Sequence, residues 1–151
     1  MPQKKYTLTS ETTTNFDGTT LYRIKALRNF GCIEKGWLGG FVEKESNLSH
    51  EGDCWIFDNA MVFGNAHVCC DAQVRDCAMV FDYAQICDNV FIFDNAKVFG
   101  EAVLHEDVTV KDFARVSGQV VINGAMLIGD DSCITSPMKD KLTEEILGAT
   151  T

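Results

Sequence analysis

The stretch DNAMVFGNAHVCCDAQVRDCAMVFDYAQICDNVFIFDNAKVFG, residues 58–100, decides the fold. An aliphatic residue returns at every sixth position: Val62, Val68, Val74, Val80, Ile86, Ile92 and Val98. The beat extends without a slip in both directions, back to Ile56 and on through Leu104, Val110, Val116, Ile122, Ile128 and Ile134. Two residues before most of these anchors stands an alanine: Ala60, Ala66, Ala72, Ala78, Ala84, Ala96, Ala102 and Ala114. Apolar residues at a strict period of six cannot line one stripe of a 3.6-period helix. The anchors are mostly β-branched, which suits strands, and no proline interrupts residues 3–136, so no ladder hydrogen bond is lost there. A six-residue period belongs to a parallel β-helix. Each hexad supplies one strand and one corner, and three hexads complete a coil.

Residues three hexads apart then stack at about 4.8 Å, the spacing of neighbouring strands, and the outward columns follow from the sequence. One face carries Met61, Phe63, Met79, Phe81 and Phe99, continued by Lys97, Arg115 and Ser117. A second shows Trp55, Phe57, Gln73, Arg75, Phe91 and Phe93. The third shows His67, Cys69, Gln85, Cys87, Val103 and His105. One corner column is wholly acidic: Asp58, Asp76, Asp94, Asp112 and Asp130. Asp and Gly tolerate the corner backbone, and Asp can bond to it. Gly64, Gly100, Gly118 and Gly124 occupy equivalent corners, which makes the acidic edge chiefly structural.

The repeat fills residues 53–135. Residues 1–52 form a β-rich N-terminal cap, with strands at Lys5–Thr9 and Thr19–Leu27 around the turn signal Asn15-Phe16-Asp17-Gly18, because a solenoid end needs covering. At the other end Ser136 and Pro137 start a helix over 136–148, with Met138, Leu142 and Ile146 on one stripe.

The chain has 151 residues, a formal charge of −9 and a pI near 4.7. Such a surface repels nucleic acid and favours basic partners. No apolar run reaches membrane-spanning length, and the N-terminus MPQKKYTLTSETTT lacks the apolar core of a signal peptide. Seven cysteines without a secretion signal point to reduced thiols in a cytoplasm.

Leu38-Gly39-Gly40-Phe41-Val42 and Asn47-Leu48-Ser49 lead into Gly52-Asp53-Cys54-Trp55-Ile56-Phe57, followed by Asp58-Asn59-Ala60 and Gly64-Asn65-Ala66. This leader and repeat resemble the left-handed β-helix, or hexapeptide-repeat, proteins of enteric and gut bacteria and phages, commonly labelled transferases. The resemblance covers about residues 20–134. It implies an all-β, single-stranded left-handed parallel β-helix of about 4.7 coils. Acyltransferases of this kind use a His base, usually placed by a loop that leaves the coils, and a partner subunit completes the site. The histidines are His50, His67 and His105, and no loop breaks the repeat between Ile56 and Ile134.

That missing loop makes the leading expectation a non-enzymatic, acidic solenoid without catalytic residues, metal or cofactor, acting as a protein-binding and assembly module. An extension is a phage-encoded inhibitor of a host nucleic-acid-binding protein. The alternative is a trimeric acyltransferase using acetyl-CoA, with His67 or His105 as base. The expected interface, of a dimer or trimer, is Met61, Phe63, Met79, Phe81 and Phe99, with Trp55, Phe57, Phe91 and Phe93 around the next corner, since large apolar patches are rarely left bare. Its cover is either the C-terminal helix or another subunit; neither nucleic acid nor membrane is expected as a direct partner. Cys69, Cys87 and His105 form a straight column, a poor tetrahedron for zinc.

Overall fold

A computed structural model describes residues 4–135; the expected C-terminal helix lies outside the described residues. The described residues are all-β, a parallel solenoid of about 5 turns with almost no helix among them. Strands β1 (Tyr6–Thr14), β2 (Thr20–Ala26) and β3 (Leu38–Val42) come first, followed by a single 3-10 turn, Glu45–Asn47. Fourteen two-residue strands then alternate among three sheets. The first holds β4 (Trp55–Ile56), β7 (Gln73–Val74), β10 (Phe91–Ile92), β13 (Thr109–Val110) and β16 (Leu127–Ile128). The second holds β5 (Met61–Val62), β8 (Met79–Val80), β11 (Lys97–Val98), β14 (Arg115–Val116) and β17 (Cys133–Ile134). The third holds β6 (His67–Val68), β9 (Gln85–Ile86), β12 (Val103–Leu104) and β15 (Val121–Ile122).

Every repeat strand pairs with the strand three hexads away, as in Met61 with Met79 and Val62 with Val80. The phase is the one the anchors dictate. All fourteen anchors are buried, and the eight alanines lie beneath the corners, also buried. An inward residue every six positions thus gives a continuous apolar column along each side of the interior. Burying one such side chain stabilises by roughly 1.5–3 kcal/mol.

The corners explain the acidic column. Asp58, Asp76, Asp94, Asp112 and Asp130 all have φ between 55 and 59°, the left-handed region that Asp tolerates better than most residues. Each of the first four lends a carboxylate oxygen to the backbone N–H of the next Asp, at 2.8–3.4 Å. Asp82, Asp88 and Glu106 do the same for Gly100, Glu106 and Gly124. One coil's side chain therefore satisfies the donor that the next coil's corner turns outward.

The solenoid begins earlier than the hexad beat suggests. β3 pairs in parallel with β5, Val42 beside Val62, and Leu48 bridges Val68. Both steps exceed three hexads by two positions, the surplus falling between Leu48 and Trp55. Asn47 secures this first coil. Its Oδ1 accepts from the backbone nitrogens of Glu43 and Lys44, and its Nδ2 donates to the carbonyls of Gly64 and Ala66. The antiparallel pair β1–β2 extends the same sheet through β3. β1 continues past the expected strand end at Thr9 as far as Thr14 and carries an irregularity between Leu8 and Thr12.

Candidate functional site

His67 opens β6, and its neighbour in register on β9 is Gln85. Its Nδ1 lies 2.7 Å from the carbonyl oxygen of Ser46. A carbonyl only accepts, so Nδ1 carries a proton, and in the neutral ring Nε2 is the nitrogen that keeps its lone pair. The ring is half-buried. Ser46 reaches it because the first coil, with its two extra residues, lays the Glu45–Asn47 turn beside the β6 rung. An open groove on this side of the solenoid is lined by Tyr83, Gln85, Glu101 and Val103, so Gln85 joins it to His67.

The other histidines are differently engaged. His105 lies two coils from His67, with Nδ1 at 3.9 Å from Asp88 and 4.0 Å from Glu106. His50 is part of the N-terminal packing. Its Nδ1 accepts from the Lys5 backbone N–H at 3.0 Å, and its ring stacks on Tyr6. Lys5 beside it is wholly buried, its Nζ donating to the carbonyls of Cys54 and Gly52. Burial holds the Lys5 ammonium below the usual lysine range, against the opposing pull of Cys54. Burial also pushes the Tyr6 hydroxyl well above the usual tyrosine range, helped by Glu45.

The expected interface divides. Trp55 is 1% exposed, a correction to its placement on an outward face. Tyr6 and Phe30 pack edge-on against it, and Gly39 leaves the room, since a Cβ there would meet the indole at 2.8 Å. Phe63, Phe81 and Phe99 stack as parallel rings, 5.0 and 4.8 Å between centroids. Phe63 and Phe81 are nevertheless buried, within a small cluster that includes Leu21 and Phe41. The edge of Phe16, from the β1–β2 turn, rests on both. The hairpin of the same chain thus supplies cover for Phe63 and Phe81, which the sequence reading did not expect; the C-terminal helix lies outside the described residues. Met61, Met79 and Phe99 remain half-buried and Phe16 is 67% exposed, so an apolar strip persists. On the next face Phe91 is exposed, while Phe57 and Phe93 are half-buried; Arg75 lies over the Phe57 ring at 4.0 Å.

Cys69 and Cys87 are stacked free thiols. Among the described residues, no group of three His, Cys, Asp or Glu side chains is placed to hold a metal ion. No described helix is long and apolar enough to cross a membrane.

These features define a parallel β-solenoid of hexad repeats, with one half-buried imidazole held against a backbone carbonyl and set one rung from the Gln85 edge of an open groove. No family model matches the chain. Part of it is similar to a protein of Escherichia coli (strain K12) named "Uncharacterized acetyltransferase YdcK", 42% identical over 55 residues. The match covers 33% of this chain and 17% of that protein. Fold and similarity together fit the hexapeptide-repeat transferases.

Proposed function

We propose that the chain carries out acyl transfer from a thioester donor such as acetyl-CoA to a hydroxyl or amine, with His67 as the general base. The observation that carries this reading is the Ser46 carbonyl at 2.7 Å from Nδ1, which leaves Nε2 basic and fixes its direction. The partial similarity to a protein named as an acetyltransferase supports acyl transfer over the non-enzymatic inhibitor. In the reaction Nε2 takes the proton of the acceptor as its oxygen or nitrogen attacks the thioester carbonyl. The tetrahedral intermediate then expels the thiolate, which takes the proton back from the imidazolium. His105 faces two carboxylates at about 4 Å and, among the described residues, has no fixed carbonyl partner, so it is the weaker candidate.

The test is release of free coenzyme A from acetyl-CoA across a panel of sugar, amine and alcohol acceptors. His67→Ala should lower turnover by roughly 10²–10⁴-fold, the usual worth of a positioned base, with His105→Ala close to the parent. Absence of saturable acetyl-CoA binding in calorimetry, or turnover that survives His67→Ala, refutes the assignment.

A further inference from the structure

Three thiols meet on the face that carries His67. Cys69 follows β6 and Cys87 follows β9, one coil apart. The backbone nitrogen of Cys69 donates to Ile86 and that of Cys87 to Leu104, so the ladder itself fixes their alignment. Their Sγ atoms are 3.3 Å apart. Stacked strands put the two Cα atoms roughly 4.8 Å apart, inside the span of about 4.4–6.8 Å that a disulfide bridges. Cys70, exposed and in the left-handed corner at φ 61°, has its Sγ 3.7 Å from that of Cys69. Burial, then the facing Cys87 thiol, pushes the Cys69 thiol far above the usual range.

We propose that Cys69 and Cys87 are a redox modification site, a reversible disulfide that staples one coil to the next in response to peroxide. Hydrogen peroxide transfers one oxygen to one sulfur of the pair: the S–O bond forms as the O–O bond breaks, and the departing hydroxide takes that thiol's proton, giving a sulfenic acid and one water. The facing sulfur attacks that sulfur, the S–S bond forms, and the hydroxyl leaves with the second thiol's proton as another water. Two thiols are oxidised and one peroxide is reduced to two waters. The bond joins Cys69 to Cys87 and not to Cys70. A Cys69–Cys70 bridge would close its ring through a single planar peptide unit, whereas the stacked pair is separated only by the strand spacing. The inference is independent of the acyl-transfer reading.

The experiment uses the full chain with the exposed cysteines replaced, Cys32→Ser, Cys70→Ser, Cys77→Ser and Cys133→Ser, so that Cys54, Cys69 and Cys87 remain. Hydrogen peroxide should lower the intact mass by about 2 Da, as loss of two thiol hydrogens requires. Peptide mapping should join the Cys69 and Cys87 peptides, and dithiothreitol should restore the starting mass. In the unsubstituted chain the same pair should be recovered. Cys69 and Cys87 both remaining open to alkylation after peroxide would overturn the proposal. So would a Cys69–Cys70 bridge in the unsubstituted chain, or oxidation of either sulfur to a sulfinic acid without a bridge.

Discussion

The carboxylate of Asp76 accepts a hydrogen bond from the backbone nitrogen of Asp94, one coil further along, at 3.1 Å. The geometry asks for an oxygen acceptor at that point, not for a charge, and an amide oxygen serves equally. Like charges about 4.8 Å apart also repel. Asp76→Asn with Asp94→Asn should therefore hold or raise the denaturation midpoint. Asp76→Ala with Asp94→Ala should lose about 0.5 kcal/mol or more per position. A large loss in the Asn pair, read by urea unfolding, would show that charge itself is needed.

Asn47 is wholly buried and spends its amide on four backbone groups. Asn47→Ala leaves two carbonyls and two N–H groups without that partner. The expected loss is roughly 3 kcal/mol, the upper part of the usual range for orphaned buried groups. Asn47→Asp should also be costly, since a carboxylate cannot donate to Gly64 and Ala66. Equilibrium unfolding checks both.

Alkaline pH should act on the N-terminal packing through three groups, Tyr6 and Cys54 opposing Lys5 in sign. Tyr6 has its pKa raised in the fold. The unfolded chain releases that proton near pH ~10 while the folded chain keeps it, so stability is full below that pH and falls above it. Lys5 has its pKa lowered, so between its folded value and ~10.4 the unfolded chain holds more protons and stability rises with pH. Burial also raises the Cys54 and Cys69 thiols, which adds a fall from pH ~8.5, so urea unfolding should show a further, steeper fall beginning near pH ~10. Tyr6→Phe should be less stable throughout, through loss of the hydroxyl's bonds to the Glu45 and Leu48 carbonyls, and should lack that fall.

The strip left by Phe16, Phe99, Met61 and Met79 is proposed as a contact between copies of this chain. Phe63 and Phe81 are unsuitable probes, because charging them would disrupt the hairpin that covers them. Phe16→Glu with Phe99→Glu charges only the open part. Light scattering should give an oligomer for the parent and a smaller species for the double variant. A monomeric parent at high micromolar concentration would sink the assignment.

The solenoid and its register could be read from the sequence because each buried anchor recurs at one fixed interval, and Ile56 to Ile134 stand where that interval places them. The corner role of the Asp column was also readable, since Asp and Gly alternate at one backbone demand. What covers Trp55, Phe63 and Phe81 was not. Their covers, Tyr6, Phe30 and Phe16, come from the non-repeating segment, where no period relates position to place. The first coil was hidden because Val42 and Leu48 stand off the beat, further from their partners than three hexads. The same offset hid the link between Ser46 and His67: a backbone carbonyl leaves no mark in composition or spacing.

The two surplus residues between Leu48 and Trp55 show how this architecture absorbs changes in chain length. Val42 still meets Val62 and Leu48 still meets Val68, while Gly52, at φ 73°, passes so close to the Cys70 carbonyl that a side chain would collide with it. The corner lengthens and the rungs keep their partners. Insertions and deletions are thus filtered by position: within a two-residue strand they would turn an anchor outward, whereas at a bend they leave the stack in step. This bend carries His50 and adjoins the turn that supplies Ser46, so it is where lineages can vary the surroundings of His67 without unthreading the coil.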